Sequence, residues 1–262
     1  MLKQFGVLIL FFSSLSIFAL GETGHRVTGA IADHYLTEST KIALADLLGH
    51  QSLAEISTYA DEMRSNPEYF WQKVSSPYHY VTVPNGNVYK DVGAPKQGDA
   101  FFALNKYSEM VKDPKSTKSD KTLAIKMIVH LIGDLHQPLH VGNGLDRGGN
   151  RVRVKYFNSA TNLHSVWDSK MIDGTKLSFT ELALWLNKRI TPEQVTTWSN
   201  IDPLIWINES AIMRETIYPK NPNEPSLKFG YIYENLPKIK LRMQQAGVRI
   251  AAYLNYIFDK KD

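Results

Sequence analysis

The sequence predicts an all-α fold: one mainly helical domain with a single short β-hairpin. Three observations support this. Apolar residues recur at helical spacing along most of the chain, and strand-like patterns are confined to two short stretches. A chain of 262 residues with 43% apolar side chains is also long enough to bury a sizeable core.

Residues 1–19 are set aside as an address. Met1-Leu2-Lys3-Gln4 gives a short positive start, Phe5–Phe12 an apolar run, and Ser13–Ala19 a small-residue end suited to cleavage. That is the layout of a secretory signal peptide, and it leaves 20–262 as the mature domain of a secreted or periplasmic protein. No later segment reaches the ~20 apolar residues of a membrane-spanning helix. In the rest of the chain, Gly24–Leu36 carries Val27, Ala30, Ile31 and Tyr35 at helical spacing. Ile42–Leu48, Leu53–Met63 and Phe101–Val111 follow the same pattern. Leu123–Leu135 does too and should stop before Pro138, since proline cannot continue a helix. Leu163–Ile172, Leu182–Ile190, Ile201–Ile217 and a long final helix from about Leu236 to Phe258 complete the helical set. Tyr78–Val83 reads as a short strand. Arg151–Phe157 alternates Val152, Val154 and Tyr156 after Gly148-Gly149, which predicts the hairpin there.

Composition narrows the chemistry. There is no cysteine, which excludes disulfides, thiolate-bound metals, iron–sulfur clusters and cysteine nucleophiles. Any metal must be held by nitrogen and oxygen. The formal charge of +4 permits a polyanionic partner without requiring one.

His130 and Asp134 stand four residues apart on a predicted helix, so both project from one face. His164 and Asp168 repeat the spacing. With eight histidines and about a tenth of the residues acidic, chance supplies about one such pair. His34 and Glu38 form a third, which reads as a surface ion pair. Density is more informative than spacing: His130, Asp134, His136 and His140 fall within one short run that breaks at Pro138. Taken singly, each histidine is best read as a buried hydrogen-bonding partner. Taken together they form a nitrogen and oxygen donor set suited to zinc or a similar divalent ion. His136 faces another side of the helix end and reads as a partner behind a ligand, while His34 and His50 read as structural or exposed.

These residues resemble a known family. His130-x-x-x-Asp134 through Gln137-Pro138-Leu139-His140, then Asp146-Arg147-Gly148-Gly149-Asn150 and Asn162-Leu163-His164-x-Val166-Trp167-Asp168, resemble the secreted single-strand-specific zinc nucleases of the S1/P1 family. The likeness extends to Gly21-Glu22-Thr23-Gly24-His25, Tyr59–Arg64, Tyr78-His79-Tyr80 and Ala246–Arg249, spanning nearly all of the mature chain.

The resemblance implies a phospholipase C/P1 nuclease-like helical fold with three zinc ions in a cleft. Asp61, His79, His130 and Asp134 would hold the first, and His140, His164 and Asp168 the second. The third would take His25, a bridging Asp134, and the amine and carbonyl of the mature first residue, Leu20. The family places a tryptophan there, whose ring leucine does not supply. Asp61 would also orient the attacking water, Arg64 would meet charge developing on the phosphoryl oxygens, and Tyr80 and Asn150 would contact substrate. Thr82 stands where the family often has a base-reading acid, so no base preference is carried over. Three divalent ions against three aspartates leave the cleft attractive to a phosphate backbone.

The implied function is hydrolysis of single-stranded DNA and RNA to 5′-phosphate products, with 3′-nucleotidase activity on nucleotides. The protein is expected to be a monomer without stable membrane association. Two alternatives are a zinc phospholipase C acting on phospholipids and a non-catalytic periplasmic metal-binding protein. Arg64 beside Asp61 argues against the latter, since storage needs no phosphate clamp.

Overall fold

The computed structural model describes residues 21–221 and 226–259; the expected leader and Leu20 lie outside that range. Helix α1 runs over Glu22–Ala32 and ends in a 3-10 turn, and α2 covers Glu38–Leu48 behind a Thr37 cap. The expected His34–Glu38 pair does not form: Glu38 lies 3.7 Å from Lys41, one turn along, and His34 is exposed.

The helix expected over Leu53–Met63 is two short ones, α3 (Leu53–Ile56) and α4 (Tyr59–Glu62). The hydroxyl of Ser57 donates back to the Ala54 carbonyl at 2.7 Å, while that of Thr58 donates forward to Glu62 Oε1 at 2.5 Å. This interrupts the ladder and leaves the Ser57 carbonyl free to serve another element. The strand expected over Tyr78–Val83 is mostly a 3-10 turn, Ser76–His79, set off by Pro77, with only Val81–Thr82 extended as β1.

Beyond it lie α5 (Tyr89–Val92), α6 (Ala100–Lys112) and α7 (Lys118–Leu135). Helix α7 starts five residues before the apolar periodicity does, because Thr117 and Asp120 form a reciprocal capping box. Its far end is tied down: Ser210 Oγ donates to the Leu135 carbonyl at 2.7 Å and Arg242 Nε to that of His136 at 3.1 Å. Val141–Gly142 forms β2, which pairs in parallel with β1 in the register Val81↔Val141. That pairing sets the segment after His79 beside the one after His140.

The hairpin is β3 (Arg153–Tyr156) against β4 (Ser159–Asn162). Its turn is at Phe157 and Asn158, not at Gly148-Gly149, so the partner strand follows rather than precedes. Strand β4 runs into α8 (Leu163–Ser165), a π-helical stretch over Val166–Lys170, and α9 (Met171–Asp173). Then come α10 (Phe179–Asn187), α11 (Pro192–Trp198), α12 (Pro203–Glu215), β5 (Ser226–Leu227) parallel to β3, and α13 (Phe229–Phe258). Helix α11 was not anticipated, although Thr191, Pro192 and Gln194 are a capping box with proline at the first position.

The buried apolar residues form two clusters. One surrounds α7 and includes Ile125, Ile128, Leu131 and Leu104. The other lies between the hairpin, the 163–173 helical stretch and α10, with Val154, Leu163, Trp167 and Leu186. Helix α13 serves both, giving Ile239 and Met243 to the second and Ile250 and Leu254 to the first. The buried histidines of α1, α7 and α8 are carried by elements of both clusters.

Candidate metal centre

Six chain segments deliver the polar groups. Helix α1 brings His25, α4 brings Asp61, the turn before β1 brings His79, α7 brings His130 and Asp134, and the segment beyond Pro138 brings His140. His164 and Asp168 come from α8 and the π-helical stretch, where Asn162 fixes the start by accepting from the Ser165 amide at 2.8 Å. His25, His79, His130, Asp134, His140, His164 and Asp168 are all buried. Three groups place one donor atom each within 4.8 Å of one another: His25, His130 and Asp134; Asp61, His79 and His130; and His140, His164 and Asp168.

Asp134 stands at the centre. Its Oδ2 lies 3.1 Å from both His79 Nδ1 and His130 Nε2. Its Oδ1 lies 3.4 Å from His25 Nε2 and 3.2 Å from His140 Nδ1. The ring of His25 stacks on that of His130 at 4.0 Å between centroids. This approach needs Gly133, since a Cβ there would lie 2.9 Å from His25 Nδ1.

Backbone carbonyls set the tautomers. His130 Nδ1 donates to the Ser57 carbonyl at 2.8 Å, His140 Nδ1 to that of His79 at 2.8 Å, and His164 Nδ1 to that of Gly148 at 2.7 Å. A carbonyl can only accept, so each Nδ1 carries a proton and Nε2 is the nitrogen that offers a lone pair when the ring is neutral. The broken helix at Ser57 therefore orients His130.

Among the described residues, several buried atoms find no hydrogen bond: both ring nitrogens of His25, Asp61 Oδ2, Asp134 Oδ1, Nε2 of His140 and of His164, and Asp168 Oδ2. His164 Nε2 and Asp168 Oδ2 approach to 2.8 Å without hydrogen-bond geometry. Lone pairs converging in a buried space are costly unless a cation joins them. Unpartnered imidazole and carboxylate atoms without thiolate are the donor set that suits zinc.

The protonation pattern agrees. Burial pushes His25 and His79 down. Burial opposes charge on His130 as well, yet the Asp134 and Asp61 carboxylates hold it up to about 9. His140 is likewise held well above the usual range, against burial, by Asp134 and Asp168. Asp134 is held well below the carboxylate range, despite burial, by His130 and His140. Without a metal, protons on imidazoles offset the carboxylate charge; a metal held by these groups would release them.

A cavity of about 270 Å³ opens beside these groups, lined by Arg64, Tyr80, Thr82, His140, Arg147, Asn150 and His164, among others. Arg64 is part-exposed, with its guanidinium 3.3 Å from Asp61 Oδ1. Tyr80 presents an exposed ring. Asn150 lines the wall while its Nδ2 donates to the Arg147 carbonyl at 2.9 Å. Leu20 lies outside the described residues; its neighbour Gly21 donates its amide to the Asp168 carbonyl at 2.8 Å.

A family model described as S1/P1 Nuclease matches residues 20–259. The chain belongs to the S1/P1 nuclease family. Among curated relatives, it is 30% identical to Endonuclease 2 of Arabidopsis thaliana, over 95% of this chain and 94% of that one. Endonuclease 4 of the same plant is 30% identical, over 99% and 97%. Nuclease S1 of Aspergillus oryzae is 28% identical, over 90% and 91%. The mostly helical architecture is the one expected of an S1/P1 nuclease.

One sequence reading is corrected. In this S1/P1 nuclease His136 does not stand behind a ligand: it points away, its Nδ1 donating to the Ile132 carbonyl at 2.7 Å and its Nε2 accepting from Arg249 at 3.0 Å. Burial, with Arg242 and Arg249 nearby, keeps it well below its usual pKa and so neutral. Sequence reading also missed Gln137, whose buried amide donates to Asp168 Oδ1. Gln137 lay inside a motif noted for its histidine, and its burial was the signal that the letters do not carry.

Proposed function

We propose that this protein is a zinc-dependent endonuclease that hydrolyses phosphodiester bonds of single-stranded DNA and RNA to 5′-phosphate products, with 3′-nucleotidase activity. The observation that carries this is the convergence of unpartnered, buried imidazole and carboxylate atoms beside a cavity walled by Arg64 and Tyr80. His25, Asp61, His79, His130, Asp134, His140, His164 and Asp168 would hold three ions, with Leu20 completing the His25 site after removal of residues 1–19. Zinc, when bound, supplies Lewis-acid stabilisation of the phosphoryl oxygens and lowers the pKa of a water to near neutrality.

The chain's own residues do the rest. Asp61 has one buried carboxylate oxygen without a partner among the described residues and accepts a hydrogen bond from the attacking water, fixing its direction. Arg64, anchored to the other oxygen, turns its remaining donors to the non-bridging phosphoryl oxygens, where charge grows in the transition state. Tyr80 gives a base a face to stack on, which an unstacked strand can use and a paired duplex cannot. The domain acts at 20–262, as a monomer exported from the cell. No helix among the described residues is long and apolar enough to cross a membrane.

The deciding experiment offers the purified mature protein single-stranded DNA, RNA, duplex DNA, a nucleoside 3′-monophosphate and phosphatidylcholine vesicles. Cleavage of the single strands that is lost with chelator and restored by zinc supports the proposal. Turnover of lipid alone identifies a phospholipase, and zinc binding without turnover identifies a metal-binding protein. N-terminal sequencing tests cleavage after Ala19.

A further inference from the structure

Residues Asn143–Asn150 form a turn at the cavity wall in which nearly every polar group is spent locally. Asp146 Oδ1 accepts the Gly149 amide at 2.8 Å, and its Oδ2 accepts the Tyr218 hydroxyl at 2.6 Å. Asn143 Nδ2 donates to the Tyr218 hydroxyl at 3.1 Å. The carbonyl of Arg147 accepts from Asn150. The exception is the Arg147 guanidinium, which has no hydrogen bond or ion pair among the described residues even though Asp146 is adjacent in sequence.

Arg147 is also held in the left-handed backbone region, with φ of 58°. A residue with a Cβ is strained there, a cost that glycine or asparagine largely avoids. The turn thus places an arginine at a position that local structure alone does not favour. It leaves that cation exposed and unpaired on the wall of the cavity that also carries Arg64 and Tyr80.

We infer that Arg147 is a substrate-binding residue, holding a phosphate of the strand adjacent to the scissile phosphodiester and so favouring a polynucleotide over a mononucleotide. This rests on the nuclease reading above. Arg64 is committed to Asp61 and the scissile phosphate, whereas Arg147 has both faces of its guanidinium fork available for a second phosphate.

The test compares Arg147→Gly, which suits the left-handed backbone and removes the charge, with Arg147→Lys, which keeps it. Arg147→Asn serves as a second uncharged variant should the glycine variant fail to fold. Zinc-loaded protein is titrated with a fluorescent, hydrolysis-resistant phosphorothioate single strand across a salt series, and KM and kcat are measured on an oligonucleotide and a nucleoside 3′-monophosphate. The uncharged variants should bind the strand about fivefold more weakly. Their salt dependence should be shallower by about 0.7 in log–log slope, the release of one counterion from a single strand. KM should rise for the oligonucleotide only, and lysine should restore the slope. An unchanged slope and KM would overturn the role of Arg147 while leaving the nuclease intact. Failure of the wild-type protein to cleave either substrate would overturn the nuclease reading, and the anisotropy slope would still decide whether Arg147 holds a phosphate.

Discussion

Gln137 and Asp168 are joined by a buried hydrogen bond in which the glutamine amide donates to Oδ1 of the carboxylate, leaving Oδ2 unpartnered and turned toward His164. The same glutamine accepts the Leu139 amide through Oε1 at 2.5 Å. One side chain therefore shapes the turn after α7 and orients a carboxylate on a segment thirty-one residues away.

Gln137→Glu separates these roles. The carboxylate retains an oxygen for the Leu139 amide but replaces the donor facing Asp168 with a like charge. Zinc affinity of the His140, His164 and Asp168 group is expected to fall by about 10- to 100-fold, the usual effect of losing an orienting partner. Competition with a chromophoric chelator measures it, and circular dichroism should show the fold retained. Undiminished affinity would mean that Asp168 is held by its helix alone.

Asp134→Asn removes the charge from the carboxylate around which His25, His79, His130 and His140 gather. The metal-free protein should lose about 3–5 kcal/mol, since protons on His130 and His140 are then buried without their counter-charge. Zinc bound per chain should drop, and the rise in Tm on adding zinc should shrink with it. Metal analysis and paired melting curves report both. Full zinc occupancy in this variant would contradict a shared role for Asp134.

Much of this centre was legible in the letters. The pairs His130/Asp134 and His164/Asp168 follow from helix geometry, and their pairing survives the π-helical stretch under the second. What stayed hidden is carried by main chain. The carbonyls of Ser57, His79 and Gly148 fix three imidazoles, yet any residue supplies a carbonyl, so no residue type announces it. The break at Ser57–Thr58 is hidden because Leu53–Met63 keeps its apolar period across the interruption, while the Ser57 hydroxyl takes up the Ala54 carbonyl and that of Thr58 turns to Glu62. The parallel pairing of Val81 with Val141, which sets His79 beside His140, links residues sixty apart and has no local signature.

Gly133→Ala tests how closely α1 and α7 must pack. The added methyl would lie 2.9 Å from His25 Nδ1 and 3.1 Å from its Cε1. That ring has little freedom to retreat, because it stacks on His130 at 4.0 Å. A stability loss of about 1–3 kcal/mol is expected from the overpacking, with weaker zinc binding at the His25 group. Denaturant titration with and without zinc checks it, and wild-type values in both would show that α1 shifts freely.

Asp33→Asn addresses pH dependence away from the metal centre. Asp33 caps the C-terminal end of α1, where the helix dipole disfavours a negative charge. Burial raises its carboxyl to about 6 from 3.8, with the Leu53 amide and His34 opposing the rise only in part. An acid whose pKa is raised by folding destabilises the native state once both forms have ionised. The penalty is therefore full above about pH 6, shrinks as the pH falls, and vanishes below about 4. At full burial the shift would be worth about 3 kcal/mol; solvent reaching this side chain screens it to about 1–2 kcal/mol. Asparagine stays neutral throughout and keeps an oxygen for the Leu53 amide. The variant should melt roughly 2–8 °C above wild type at pH 7 and coincide with it at pH 4, both measured without metal. An equal difference at the two pH values would show that shape, not charge, sets the effect of this position.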